Sequence, residues 1–410
     1  MKVFRRILPH ILNALPDFIS FKIIRKMISI DNQHVEDDIT IKVAENIDEL
    51  EQAFKLVQES YADINLADLK QSPLRVNKYH ALPTTAIIIL KKGDKVIATL
   101  SVITSNKYKL PLESLWNIDN IKNSGRTAEV SSLAVAKDYR KAAGKYTVPL
   151  MLFLNRYSFK QMGIKNFVIS INPKAAIFYR GLFNFKYVSK KIKRYEFVNN
   201  APAICLTMKL DYWQDHIKKD DPFHEKITKI SYRDMPYFKL PCTKYHCALG
   251  KVMTPKLLDY FFIKKTSAIH DFKEDEIEFL KEVYNFKEYQ DILKGSIKAE
   301  EKYFIYCHAD LVIGSDVIDF DTFAVNENKV FGKLYKKPES ELHGQCIIKI
   351  DISRKESLIL KGQISSEGEY YSVKVERHEN WDDFVHYIKT SFYFKDSFDD
   401  TGDDDNAIAA

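Results

Sequence analysis

The chain has 410 residues, is 45% hydrophobic and 13% aromatic, and carries a formal charge of +6. That length suits two or three domains of about 100–200 residues each, and the apolar content excludes a disordered polyelectrolyte. Lys and Arg are interspersed with acids rather than clustered, so no nucleic-acid partner is expected. The five cysteines, Cys205, Cys242, Cys247, Cys307 and Cys346, are odd in number and form no ladder. They read as ordinary thiols in a reducing compartment, most simply the cytoplasm. Cys242, His246 and Cys247 fall together. A structural zinc site needs about four ligands, and no second Cys/His pair lies nearby, so no metal is expected.

In chain order, the first feature is Met1 to Ile30, where Phe4, Ile7, Leu8, Ile11, Leu12 and Leu15 recur at helical spacing beside Arg5, Arg6 and His10. Pro9, Pro16, Asp17 and Lys22 interrupt the apolar run, which argues against a signal peptide. The favoured reading is a helix packed on its own domain. The alternative is a basic amphipathic segment lying peripherally on the inner membrane surface. Residues 40–45 alternate as a strand, and Asp48 to Tyr61 shows helical spacing through Leu50, Phe54, Leu56 and Val57. Thr84 to Leu90 and Val96 to Ile103, joined by Lys92-Gly93-Asp94-Lys95, predict a hairpin. Ala128 to Ala136 predicts a strand, Val148 to Met162 a helix stopped by Gly163, and Phe167 to Ile171 another strand. Ala175 to Leu182 predicts a helix, and strands follow from Tyr187 and over Ala203 to Leu210. This order implies an α/β fold: one mixed sheet with helices on both faces.

The stretch 212–295 reads as mostly helical, with Thr254-Pro255 as a hydroxyl cap before a first-turn proline and a second amphipathic helix over Asp275 to Tyr284. From about residue 296 the pattern becomes β: Tyr303–Tyr306, Leu311–Ile313, Thr322–Val325, Gln345–Ile350 and Glu369–Val375 alternate, with glycines at or near the turns. Evenly spaced short strands predict a small barrel, closed by a helix over Trp381 to Thr390. The tail from Asp396 is acidic and reads as disordered.

Three places can carry chemistry. Glu129 lies inside the apolar strand Ala128–Ala136, where a carboxylate is costly unless paired or set in a cleft. Burial would raise its pKa toward neutrality, which a general base for an amine needs. The competing reading is a strand-edge residue paired with Lys or Arg. Next, Val135 runs into a basic loop containing Arg140, Lys141, Gly144 and Lys145 and then into a helix. Backbone N–H groups at such a helix start favour a phosphate. Third, Asn172-Pro173 ends a strand and opens a helix, with Tyr179 about two turns in. Tyr179 either donates a proton to a leaving thiolate or packs as an aromatic under the sheet.

The series Glu129-Val-Ser-Ser-Leu-Ala-Val135, Arg140-(three)-Gly144, Asn172-Pro-(four)-Phe178-Tyr179 and Tyr195-Glu-Phe-Val-Asn-Asn-Ala-Pro-Ala203 resembles the FeeM-like N-acyl amino acid synthases. These belong to the GNAT acyltransferase superfamily. Leu82-Pro83-Thr84-Thr85, Leu110-Pro111 and Thr254 to Phe262 extend the resemblance, which spans about residues 40–290. It implies transfer of a fatty acyl group from acyl carrier protein, or acyl-CoA, to the amine of an amino acid. No cofactor would be permanently bound. By the same resemblance Glu129 would be the base, the backbone near Val135 would meet the pantetheine arm, and the loop from Arg140 through Lys141 and Gly144 to Lys145 would hold its phosphate. Asn172 and Tyr179 would line the far side, with Tyr179 as an acid. The loop departs from the general GNAT pattern, because Ala143 and Lys145 take its small positions and Gly144 is displaced by one place. That fits a carrier-protein donor, which presents a single phosphate, better than CoA. An acetyl-CoA-dependent N-acetyltransferase and a non-catalytic sensor or scaffold are the alternatives.

The C-terminal barrel resembles a PilZ domain. Asp319 matches that pattern, but Asp321 and Ala324 replace its Ser and Gly, and Lys298 and Lys302 stand where arginines belong. Lys cannot both stack on guanine and fork onto phosphate, so no cyclic di-GMP binding of the usual kind is expected. The implied division is an amphipathic segment 1–38, a GNAT domain 39–212, its helical extension 213–295, a PilZ-like barrel 296–392 and an acidic tail 393–410.

Overall fold

The computed structural model describes residues 8, 11–27, 36–67, 72–106, 108–140, 144–210, 223, 235–241, 245, 247–295, 300–335, 342–352, 356–368 and 370–395. Lys141, Cys242, His246, Lys298 and the tail from Asp396 lie outside these residues.

The N-terminal half is built on strands β1 (Ile39–Val43), β2 (Thr85–Lys92), β3 (Lys95–Thr104), β4 (Thr127–Val135), β5 (Asn166–Ile171), β6 (Lys186–Tyr195), β7 (Ala201–Lys209) and β8 (Phe238–Lys239). They form one sheet in the order β6-β7-β5-β4-β3-β2-β1-β8, with β4–β5 and β1–β8 parallel and the other neighbours antiparallel. The continuous apolar run of β2 follows from burial on both sides. Ile87 and Ile89 enter one core, while Ile88 and Leu90 enter the other. The expected hairpin is present, with Gly93 at φ +55° in its two-residue turn.

Helix α1 spans Asp17–Met27. Helix α2 (Ile47–Ala62) begins where the Asn46 side chain accepts the Glu49 N–H at 2.9 Å. Leu50, Phe54 and Val57 carry α2 onto one face of the sheet. Helices α3 (Thr147–Lys160) and α4 (Ala176–Phe183) cover the other face. The expected mixed sheet with helices on both faces is therefore observed. Helix α1 packs on α4: Ile24 is buried, Arg25 Nε donates to the Gly181 carbonyl at 2.9 Å, and Arg180 pairs with Asp17. Its other side exposes Phe18 (75%), Ile19, Ile23 and Met27. No helix among the described residues is long and apolar enough to cross a membrane.

The middle segment contributes α5 (Pro255–Asp259), which widens into a π turn over Tyr260–Lys264, and α6 (Glu274–Val283). Thr254 Oγ1 caps α5 at the Leu257 N–H, as expected. The segment also holds two-residue strands, β8 and β9 (Ala248–Leu249), too short for periodicity to signal. Strand β8 extends the N-terminal sheet and β9 joins the C-terminal one, so this stretch ties the two together.

The C-terminal strands are β10 (Tyr303–Ile313), β11 (Asp316–Val325), β12 (Lys329–Lys333), β13 (Gly344–Asp351), β14 (Ser357–Glu367) and β15 (Tyr370–Val375). They close into a six-stranded antiparallel barrel through the β10–β11 pairing. Two expected short strands merge into β10. Strands β12 and β14, not anticipated, complete the circle. Helix α7 (Glu379–Thr390) plugs it with Trp381, Phe384 and Ile388, and Trp381 Nε1 donates to the Glu327 carbonyl at 2.8 Å.

The barrel does not stand apart. One apolar core runs from α2 through the middle segment into the barrel. Arg126, just before β4, is buried and donates to the carbonyls of Met162 (2.6 Å) and Thr322 (2.8 Å), and its Nε lies 4.0 Å from Asp321. The acid that replaces the PilZ-pattern Ser thus faces a cation of the N-terminal sheet. Lys302 lies 4.2 Å from the centroid of the Phe331 ring.

Candidate active site

Strands β4 and β5 run parallel but pair only at Thr127↔Asn166, Ala128↔Phe167 and Glu129↔Val168. Beyond that point β4 continues along β3 to Val135, while β5 continues along β7 to Ile171. The two strands therefore part and leave a wedge whose edges lack each other as ladder partners. A bulge lies in the diverging part of β4, with Ser132 at φ +56°. A positive φ at a non-glycine residue is uncommon, and bulges bend a strand out of its ladder.

Glu129 sits where the wedge opens and is only 2% exposed. Its Oε2 accepts the Leu112 N–H at 2.9 Å. The Leu110-Pro111 turn presents that donor, held in place because Glu113 Oε2 accepts the Leu110 N–H at 2.6 Å. Burial pushes the Glu129 pKa up to about 8, opposed by the Leu112 N–H and assisted by the charge of Glu113. None of the ion pairs among the described residues involves Glu129, and β4 is a central strand rather than an edge. The strand-edge alternative does not describe this residue.

Four further side chains feel the Glu129 charge: Tyr61 at the end of α2, Tyr79 after it, Tyr195 at the end of β6, and Cys205 on β7. Burial is the main reason that all four hold their protons, the Cys205 thiol up to about 12. Tyr79 donates to the Lys109 carbonyl at 3.0 Å, and Tyr61 is hydrogen-bonded to Ser132 in the bulge. The Tyr195 hydroxyl is buried with no hydrogen-bond partner. Arg75 completes the group: its Nη2 donates to the Phe197 carbonyl at 2.5 Å, its guanidinium lies 5.0 Å from the Tyr61 ring centroid, and its Nε is buried and unpartnered. The sequence reading assigned no role to Tyr61, Arg75, Tyr79 or Cys205. Tyr195 appeared only as part of a family motif.

Tyr179, on α4, is half-buried, and burial together with the nearby Tyr61 pushes its pKa up to about 12. Tyr61 belongs to the α2 side of the sheet and Tyr179 to the opposite side. They influence each other across the wedge. Asn172 is exposed, and its Oδ1 accepts the Lys174 N–H at 3.0 Å, so its side chain caps the turn before α4. The Val135 carbonyl accepts from Arg140 Nε at 2.7 Å. The rest of that guanidinium is engaged by Asp63 (2.8 Å) and Ser60 (3.0 Å) at the end of α2. Gly144 has φ +88° and opens the turn into α3. Lys145 is paired with Glu36 at 2.7 Å, which holds the Glu36 carboxyl down at about 2. Helix α3 itself starts with no side-chain cap and no acidic residue in its first turn. Lys141 lies outside the described residues. Two surface hollows among the described residues, beside Phe18–Lys26 of α1 and beside Glu327–Lys389 of the barrel, do not border Glu129.

On the barrel exterior, His308, Asp310 and Asp319 bring ligand atoms within 4.8 Å of one another. They are cross-strand neighbours on an outward face, and that spacing follows from the β10–β11 register alone.

Residues 52–209 match the family model "N-acyl amino acid synthase FeeM". No curated protein matches the chain. Among solved structures, the chain is similar to FeeM, an N-acyl amino acid synthase from uncultured soil microbes, at 23% identity over 43% of this chain and 93% of that one, with a TM-score of 0.37. It is also similar to the CoA-dependent acyl-homoserine lactone synthase BjaI, at 14% identity over 49% and 93%, with a TM-score of 0.35. An N-acetyltransferase from Staphylococcus aureus Mu50 is similar at 12% identity over 42% and 98%, with a TM-score of 0.28. The N-terminal sheet is a mixed α/β sheet whose parallel strands β4 and β5 part.

Proposed function

We propose that this chain is a GNAT-type N-acyltransferase that moves a fatty acyl group from acyl carrier protein or acyl-CoA to the amine of an amino acid, giving an N-acyl amino acid. The observation that carries this reading is Glu129: a buried carboxyl with a pKa near 8, at the fork of two parallel strands, in a segment matching the synthase family.

The thioester arm enters the wedge, where the unladdered edge of β4 can pair with its amides. Glu129, once ionised, takes a proton from the acceptor ammonium. The freed amine attacks the thioester carbonyl carbon, the new C–N bond forms, the C–S bond breaks, and the nitrogen's second proton replaces the one that Tyr179 gives up. Tyr179, which burial keeps protonated at neutral pH, gives a proton to the leaving thiolate. Desolvation raises both pKa values, which keeps Tyr179 protonated as an acid and makes Glu129 a stronger base that ionises near pH 8.

The donor's phosphate is assigned to the backbone amides that lead into α3, past Gly144. Arg140 and Lys145 already have internal partners, which favours a carrier protein with one phosphate over a CoA pyrophosphate. The barrel is read as a PilZ-like docking module that does not bind cyclic di-GMP in the usual way, because Asp321 faces Arg126 and Lys302 lies over Phe331. The exposed Phe18, Ile19, Ile23 and Met27, beside Lys22 and Lys26, support a cytoplasmic protein that touches the inner membrane surface through residues 1–30.

The test is mass spectrometry of lipid extracts from cells expressing the intact chain or Glu129→Gln. N-acyl amino acids present with the first and absent with the second support the synthase and its base. Their absence from both, with protein folded and abundant, refutes the reading.

A further inference from the structure

We propose that Arg75 and Tyr195 form a subsite for the α-carboxylate of the acceptor, so that the acceptor is a free α-amino acid rather than a polyamine or another simple amine. This deepens the acyltransfer reading above and rests on it.

Arg75 is held from several sides. Its backbone N–H donates to the Phe54 carbonyl of α2 at 3.2 Å. Its guanidinium donates to the Phe197 carbonyl and lies against the rings of Tyr61 (5.0 Å) and Phe197 (5.5 Å). Anchored so, it still has a buried Nε with no acceptor. None of the ion pairs among the described residues uses Arg75. The titratable groups that face it are Tyr61, Tyr195 and His80. All three are neutral at physiological pH: burial raises both tyrosines, and it lowers His80 to about 3. A half-buried cation surrounded by neutral groups is costly until an anion completes it. Arginine's planar fork suits a carboxylate in particular.

A second observation points to the same place. The Tyr195 hydroxyl is a donor in a residue only 5% exposed, and it too has no partner. Tyr61 and Tyr195 each feel both Glu129 and Arg75. The carboxyl and the guanidinium therefore flank the same pair of aromatic residues. An α-amino acid is a zwitterion whose two charged groups are attached to one carbon. Its ammonium meets the base Glu129, and its carboxylate meets Arg75 and the Tyr195 hydroxyl. An acceptor without a carboxylate would leave the guanidinium as it now stands.

The test uses the full chain with the donor and acceptor identified from lipid extracts, and compares the amino acid with its C-terminal amide and its decarboxylated amine. The wild type is expected to prefer the amino acid by about 100-fold in kcat/KM, the range of a charged hydrogen-bonded pair. Arg75→Met is expected to raise the acceptor KM by about that factor, leave the donor KM unchanged and abolish the preference. Arg75→Lys should restore part of it, and the isosteric Tyr195→Phe should cost about 10-fold. Thermal melts confirm that each variant is folded. Equal use of acid and amide by the wild type overturns the subsite, as does an unchanged acceptor KM in folded Arg75→Met or a rise in donor KM instead. If the wild type acylates no amine at all, the acyltransferase reading falls and takes the subsite with it; acylation of carboxylate-free amines as efficiently as of the amino acid refutes the subsite alone.

Discussion

Replacing Glu129 with Gln separates the cost of keeping a carboxyl in the wedge from its use in catalysis. The folded pKa is about 8 against an ordinary value of 4.5. A carboxyl raised in this way favours folding while protonated; that contribution is complete below pH 4.5 and is lost as pH rises toward 8. From pH 4.5 to 7 the wild type loses about 1.36 kcal/mol per pH unit, or about 3 kcal/mol in all. Gln does not titrate, and its amide oxygen can still accept the Leu112 N–H. Any fixed penalty of the buried amide is the same at both pH values. Urea unfolding of both proteins at pH 4.5 and pH 7 should therefore show the stability of Glu129→Gln relative to wild type improving by about 3 kcal/mol over that interval. Parallel stability curves would mean that Glu129 is ionised at an ordinary pKa, and the argument from desolvation would be wrong. The same variant should lose about 100-fold or more in turnover, the usual share of a positioned base.

The pH dependence of wild-type kcat/KM should rise about tenfold per unit to a limb near pH 8, where Glu129 ionises; Glu129→Gln should lack that limb. Removing Asp321 by Asp321→Ala leaves Arg126 buried with carbonyls, the Tyr306 ring and the neutral Tyr335 hydroxyl but no carboxylate, and should destabilise the protein by about 3 kcal/mol in denaturant unfolding. Gly332→Ala would place a Cβ 2.5 Å from the Phe320 ring and 2.9 Å from the Asp321 carbonyl. It should cost about 1–3 kcal/mol, read as a lower urea midpoint.

Local pattern was enough for much of the N-terminal sheet. Strand β2 announces itself because a strand buried on both faces must be apolar throughout, and Gly93 marks the turn because a tight hairpin needs positive φ. Glu129 was legible for the opposite reason, as the one charge in an apolar strand. Strands β8 and β9 were not legible, because two residues carry no period.

What the sequence determined by itself was the order of elements, the two-faced sheet and the identity of the residue most expensive to bury. The tertiary structure decided which charges remain available. Arg140 and Lys145 read as free phosphate ligands until Asp63, Ser60 and Glu36, distant in sequence, arrive beside them. Nothing in the sequence singles out Arg75, and only the fold closes Tyr61, Phe197 and Tyr195 around it. Periodicity is set by neighbours along the chain, whereas desolvation and charge pairing are set by neighbours in space. That is why the fold was written locally and the site was not.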